Sequence, residues 1–111
     1  MRDSKKGGAL TEVTLYILLA LFEPRHGYAV MQFIEQLTDK RLSLGAGTLY
    51  GALISLQEKG WIVETNISNK EDNKKHYQIT DEGKDEVNRE LVRLKELLEN
   101  AQNVVGGRHN E

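Results

Sequence analysis

Leu49, Ala52, Leu53 and Leu56 recur at the three- and four-residue intervals of a helix. At about 100° per residue they share one face, with Gly47, Gly51, Ile54, Ser55 and Glu58 broadly opposite. The chemistry open to that second face is recognition rather than bond making. Gly47 and Gly51 present almost no side chain, so the helix N-terminus can approach a groove wall or a phosphate closely. Thr48 and Tyr50 can donate hydrogen bonds to phosphate oxygens, and Ile54 can touch a thymine methyl. On these residues alone a second reading stands beside the first, with Thr48 as an N-terminal capping group and Tyr50 as a packed ring. Lys70, Lys74 and Lys75 lie in a wholly polar run, 68–75, where lysine suits a phosphate backbone because charge matters there and base identity does not. Glu71 and Asp72 offset much of their field, and a solvated loop is the alternative.

Bond-making chemistry finds no residues to carry it. Ser4, Ser43, Ser55 and Ser68 lack a base and an acid partner, and His26, His76 and His109 are scattered with no pair at metal-ligand spacing. There is no cysteine, which removes disulfides, thiol nucleophiles and zinc-thiolate sites together. The expectation is a non-enzyme with no metal and no cofactor. The most apolar run, 13–22, falls well short of the roughly 20 residues that cross a bilayer, and no cleavage site follows it. A cytoplasmic protein with no membrane partner is expected. The net charge of −2 is unevenly divided. Residues 1–80 hold ten Lys/Arg and nine Asp/Glu, whereas 81–111 hold five and eight, so the acidity belongs to the last segment.

The elements that must position the candidate face follow from periodicity. Leu10, Val13, Ile17, Ala20 and Leu21 keep helical spacing, while Leu15, Leu18, Leu19 and Phe22 fill the remaining faces, so this first helix must be covered all round. A small domain's own core covers one side, which leaves the other, with Val13 and Ile17, for a partner subunit. Pro24 ends it. Tyr28, Val30, Met31, Ile34 and Leu37 trace one stripe of a second helix, and the candidate helix follows, with Gly60 as its C-terminal cap. Trp61, Ile62, Val63, Thr65 and Ile67, then His76-Tyr77-Gln78-Ile79, predict a β-hairpin with a long tip. Thr80 is placed to cap a last helix, in which Val87, Leu91, Leu94, Leu98, Ala101 and Val105 follow one another at alternating intervals of four and three. That heptad seam has no core left to cover it and is expected to find a second copy of the chain.

The order is that of a mainly α winged helix-turn-helix domain with a small β-hairpin and a C-terminal dimerisation helix. The expected division is a flexible arm (1–9), a winged helix-turn-helix domain (10–80), a dimerisation helix (81–105) and a disordered tail (106–111). Three motifs then resemble the PadR family: Leu18-Leu19-Ala20-Leu21-Phe22 followed by His26-Gly27-Tyr28; Gly47-Thr48-Leu49-Tyr50 with Leu53, Leu56 and Gly60; and 75–83, Lys-His-Tyr-Gln-Ile-Thr-Asp-Glu-Gly. The likeness runs in register from Leu10 to about Gly83, and the short last helix is similar to that of the subfamily with a single C-terminal helix.

The resemblance implies a homodimer that binds double-stranded operator DNA, usually as a repressor, often released by a small-molecule effector. It favours DNA contact over the capping and packing alternative for Thr48 and Tyr50. The DNA-contacting set becomes Tyr28, Gly47, Thr48, Tyr50, Gly51, Ile54, Ser55, Lys70, Lys74 and Lys75; the dimer set is Val13, Ile17, Val87, Leu91, Leu94, Leu98 and Ala101. Ile54-Ser55 stand where relatives often carry basic residues, Lys74-Lys75 replace arginines, and Asn73 replaces a glycine. A winged-helix protein-interaction module, favoured by the weak basicity, is the other functional reading.

Overall fold

The computed structural model of the chain describes residues 8–65 and 74–107. Helices begin where the sequence supplies an acceptor. Thr11 Oγ1 takes the N–H of Thr14 at 3.1 Å and opens α1 (Glu12–Ala20). After β1 (Arg25–His26), the imidazole of His26 does the same work for α2 (Gly27–Leu37), its Nδ1 accepting from Ala29 N–H at 3.2 Å. Gly45 precedes α3 (Ala46–Glu58), which starts without a side-chain cap. Thr48 is therefore inside the helix rather than its cap.

Gly60, at φ 80°, ends α3 with the paired bonds of a Schellman motif, Gly60 N–H to Gln57 O and Trp61 N–H to Leu56 O, both at 3.0 Å. That turn launches β2 (Ile62–Thr65), which pairs antiparallel with β3 (His76–Ile79). Thr80 ties the far end of the hairpin to α3: its hydroxyl donates to Gly60 O at 2.7 Å and accepts from Gly83 N–H at 3.0 Å, opening α4 (Asp81–Gly106). A Cβ at Gly83 would stand 2.7 Å from Ile79 Cγ1 and closer still to the carbonyl of Trp61, so only glycine lets α4 start this near the hairpin.

The core gathers Ile17, Leu18, Leu21, Val30, Ile34, Leu49, Leu53, Leu56, Ile62, Ile79 and Val87. It corrects three expectations. The sheet has three strands in the order β1-β3-β2, because Arg25 and His26 pair with Tyr77 and His76, and a two-residue strand is too short to show a period. The first helix is covered largely within one chain, packing against both α2 and α4. Accordingly Ile17 and Val87, expected at a subunit contact, are 0% and 1% exposed and have no area to give a second copy. The helix expected over 81–105 runs to Gly106, and Gly107 at φ 72° stops it. No helix among the described residues is long and apolar enough to cross a membrane.

Candidate nucleic-acid interface

α3 divides as the periodicity predicts. Leu49, Leu53 and Leu56 are buried and Ala52 is half-buried, while Gly47, Thr48, Tyr50, Gly51, Ile54, Ser55 and Glu58 are exposed. A Cβ added at Gly47 or Gly51 would meet nothing within 4 Å, so the chain's own packing does not require glycine at either position. Ile54 is 59% exposed, a large apolar side chain held out in water beside these glycines. The outer face is smooth, hydroxyl-bearing and without a Lys or Arg from Ala46 to Glu58.

Positive charge comes from the hairpin instead. Lys74 and Lys75 lead into β3, and with His26, Tyr28, Tyr50 and Tyr77 they line a notch of about 230 Å³ between the start of α2, α3 and the sheet. Tyr50 reaches it by lying over Gly27, the first residue of α2. A Cβ there would be 2.7 Å from the Tyr50 Cζ and nearer to its hydroxyl. The register His26↔His76 stacks the two imidazoles edge to face, 5.3 Å between centroids and 83° between planes. Because His26 Nδ1 accepts the capping bond, its neutral ring carries the proton on Nε2. Burial pushes the Tyr77 phenol above its usual range, with Lys75 acting against the shift and Glu64 adding to it, so Tyr77 stays an O–H donor at neutral pH. Lys75 pairs with Glu64 at 3.7 Å, both well solvated, an arrangement that costs little to open.

The fold thus brings Tyr28, Tyr50, Lys74 and Lys75 to one notch, and places Gly47, Thr48, Gly51, Ile54 and Ser55 on the adjoining outer face of α3. Lys70 lies outside the described residues. Two lining residues, His26 and Tyr77, escaped the sequence reading. Tyr77 alternates with Ile79 on the inward side of β3 and looks like core; His26 meets His76 only through strand β1. Among the described residues no group of three or more His, Asp or Glu could hold a metal ion.

A helical core whose third helix turns one face away from the chain, followed by a hairpin that returns lysines beside that helix, defines the winged helix-turn-helix class. The family is equally definite. Residues 14–89 match the transcriptional regulator PadR-like family, and the chain belongs to it. Among solved structures it is similar to a transcriptional regulator from Clostridium thermocellum, at 25% identity over 97% of this chain and 99% of that one, with a TM-score of 0.66. A PadR-like transcription factor from Bacteroides fragilis shares the fold at 23% identity and a TM-score of 0.70, covering 93% and 96%. Bacillus subtilis PadR in complex with operator DNA is similar at 25% identity and a TM-score of 0.63, over 73% of this chain and 47% of its own length. No curated protein matches the chain.

Proposed function

We propose that this PadR-like regulator binds operator DNA as a homodimer, acts as a repressor, and leaves the operator when a small-molecule effector binds. The observation that carries the DNA reading is the glycine-bearing outer face of α3, open to solvent and continuous with a notch holding Lys74 and Lys75. In this arrangement α3 enters the major groove and the hairpin follows the phosphate backbone. Similarity to a PadR solved with operator DNA supports the same docking. The dimer rests on α4, where Leu91, Leu98 and Ala101 are exposed and Leu94 half-buried on one seam. Val13, half-buried on α1, keeps a share in that contact. The repressor role and effector release rest on the family alone.

The test is a mobility shift of the full chain against the DNA upstream of its own gene, with an unrelated duplex as competitor. A retarded band that survives competition is expected. Its absence at low salt favours the other reading, a winged-helix protein-interaction module, which the exposed Ile54 and Val63 and the lack of basic residues on α3 would suit.

A further inference from the structure

Tyr77 is unusual among the residues of the notch. It is 7% exposed, so its ring belongs to the core, yet it lines the notch, and among the described residues its hydroxyl has no hydrogen-bond partner. A buried hydroxyl without a partner forfeits the bond it would make to water, a cost a native fold rarely leaves unanswered. What surrounds it is uniform in one respect. Tyr28 and Tyr50 bring phenol donors, Lys74 and Lys75 ammonium groups, and His26 an imidazole whose capping bond leaves Nε2–H to give. Glu64, paired with Lys75, is the carboxylate nearest this set. The notch also sits at the start of α2, where first-turn amides and the helix dipole favour an anion.

We propose that this notch is a seat for a phosphate oxyanion, filled by one backbone phosphodiester of bound duplex DNA, with the Tyr77 hydroxyl as the donor that fixes it. The assignment of DNA as the source rests on the function proposed above; the seat itself rests on the donors. Tyr77 acts on the backbone and reads no base, so its contribution is register, holding α3 at one depth and angle in the groove. Gly27 is part of the device, since any larger residue would displace the Tyr50 hydroxyl from the seat. A tetrahedral anion also suits a site ringed by donors from several elements better than a flat apolar molecule does.

Tyr77→Phe removes one oxygen and keeps the buried ring. Duplex binding is measured by fluorescence anisotropy with the full chain and a labelled duplex about two helical turns long, of arbitrary sequence, at low salt. Inorganic phosphate is titrated separately while backbone amide resonances of 26–29 and 76–78 are followed. The variant should bind the duplex about tenfold more weakly for each notch engaged, as expected for a lost hydrogen bond to a charged acceptor, with an unchanged melting curve. One methylphosphonate position should cost the wild type affinity and cost the variant nothing. Tyr50→Phe, altering a side chain that is 44% exposed, repeats the test outside the core and should act in the same direction. If both variants keep duplex affinity but lose the phosphate-dependent shifts, the seat stands and its source is a free anion rather than DNA. A wild type that binds no duplex but shows those shifts overturns the DNA reading and leaves the seat. Unchanged duplex affinity together with unchanged phosphate response overturns the seat.

Discussion

Two glycines inside helices show how a residue's burden separates into packing and function. Gly83 is buried, and a Cβ there collides with the Trp61 carbonyl and Ile79, whereas Gly51 faces open space in mid-helix. Glycine in a helix interior costs about 1 kcal/mol relative to alanine, so Gly51 carries that cost with nothing in its own chain to explain it. Gly51→Ala should therefore raise stability by up to about 1 kcal/mol, while Gly83→Ala should lower it by about 1–3 kcal/mol through overpacking, both read from denaturant midpoints. Gly51→Val should fold and lose duplex binding; normal binding by a folded Gly51→Val would place α3 elsewhere than in the groove. Lys74 makes a different kind of contribution, through charge. Each phosphate neutralised adds about 0.9 to the slope of log affinity against log salt, so Lys74→Ala in a dimer should flatten it by roughly 2 and weaken all sequences alike. An unchanged slope would remove Lys74 from the interface. At this scale the outer face of α3 was legible because helical periodicity alone separates it from Leu49, Leu53 and Leu56. Tyr77 was not, because a tyrosine alternating with isoleucine on a strand has the pattern of any core residue, and its hydroxyl's lack of a partner is visible only once Tyr28 and Tyr50 arrive from other elements.

Among the elements, α4 changes role along its length. Its first turns are part of the domain, with Gly83, Val87 and Glu90 buried, and beyond Glu90 every residue is half-buried or exposed. The change falls on an ion pair. Glu90, 5% exposed, accepts from Arg93 Nε at 3.0 Å and Nη2 at 2.6 Å, and its Oε2 also takes the N–H of Leu10 at 3.4 Å, just ahead of α1. The Arg93 bonds hold the Glu90 carboxyl below its usual range, against the effect of burial. A carboxylate whose folded pKa is depressed contributes stability above its unfolded pKa and loses it as the pH falls through the folded value. Glu90→Gln should accordingly lower stability at pH 7 by about 1–3 kcal/mol and show a shallower loss than the wild type on acidification below about pH 5. Parallel acid limbs in urea titrations of the two proteins would rule this out. The heptad spacing of α4 was readable in the sequence, but where the helix leaves the domain was not: Val87 and Leu91 look equivalent in the seam, and only the packing of α1 on α4 makes the first core and leaves the second 47% exposed. Strand β1 escaped for a related reason, being defined by its partner on β3 rather than by any pattern of its own.

The molecule as a whole is longer than its residue count requires. Its radius of gyration is 16.6 Å and its extents are 63 × 33 × 21 Å, against about 13 Å for a compact domain of this size. α4 accounts for the length, since 26 residues at about 1.5 Å each make a rod that its first turns alone anchor. The free part displays Leu91, Leu97, Leu98, Val104 and Val105, with exposures from 47% to 87%. Propensity by itself holds a short isolated helix only marginally in water, so this apolar face needs a covering surface for α4 to persist as drawn. A second copy supplies one and, by placing two α3 helices about one DNA turn apart, roughly 34 Å, favours a palindromic site. Leu98→Glu tests this without disturbing the domain core, because Leu98 is already 56% exposed within one chain. In a two-fold contact the change enters twice, and losing two buried leucines at about 1.5–3 kcal/mol each weakens association by roughly a thousandfold before the buried carboxylates are counted. Sedimentation at micromolar concentration should show a dimer for the wild type and a monomer for Leu98→Glu, with duplex affinity falling further than in Lys74→Ala. A wild type that sediments as a monomer with α4 fully helical would mean that the rod is stable bare, and both the interface and the two-site docking would fall with it.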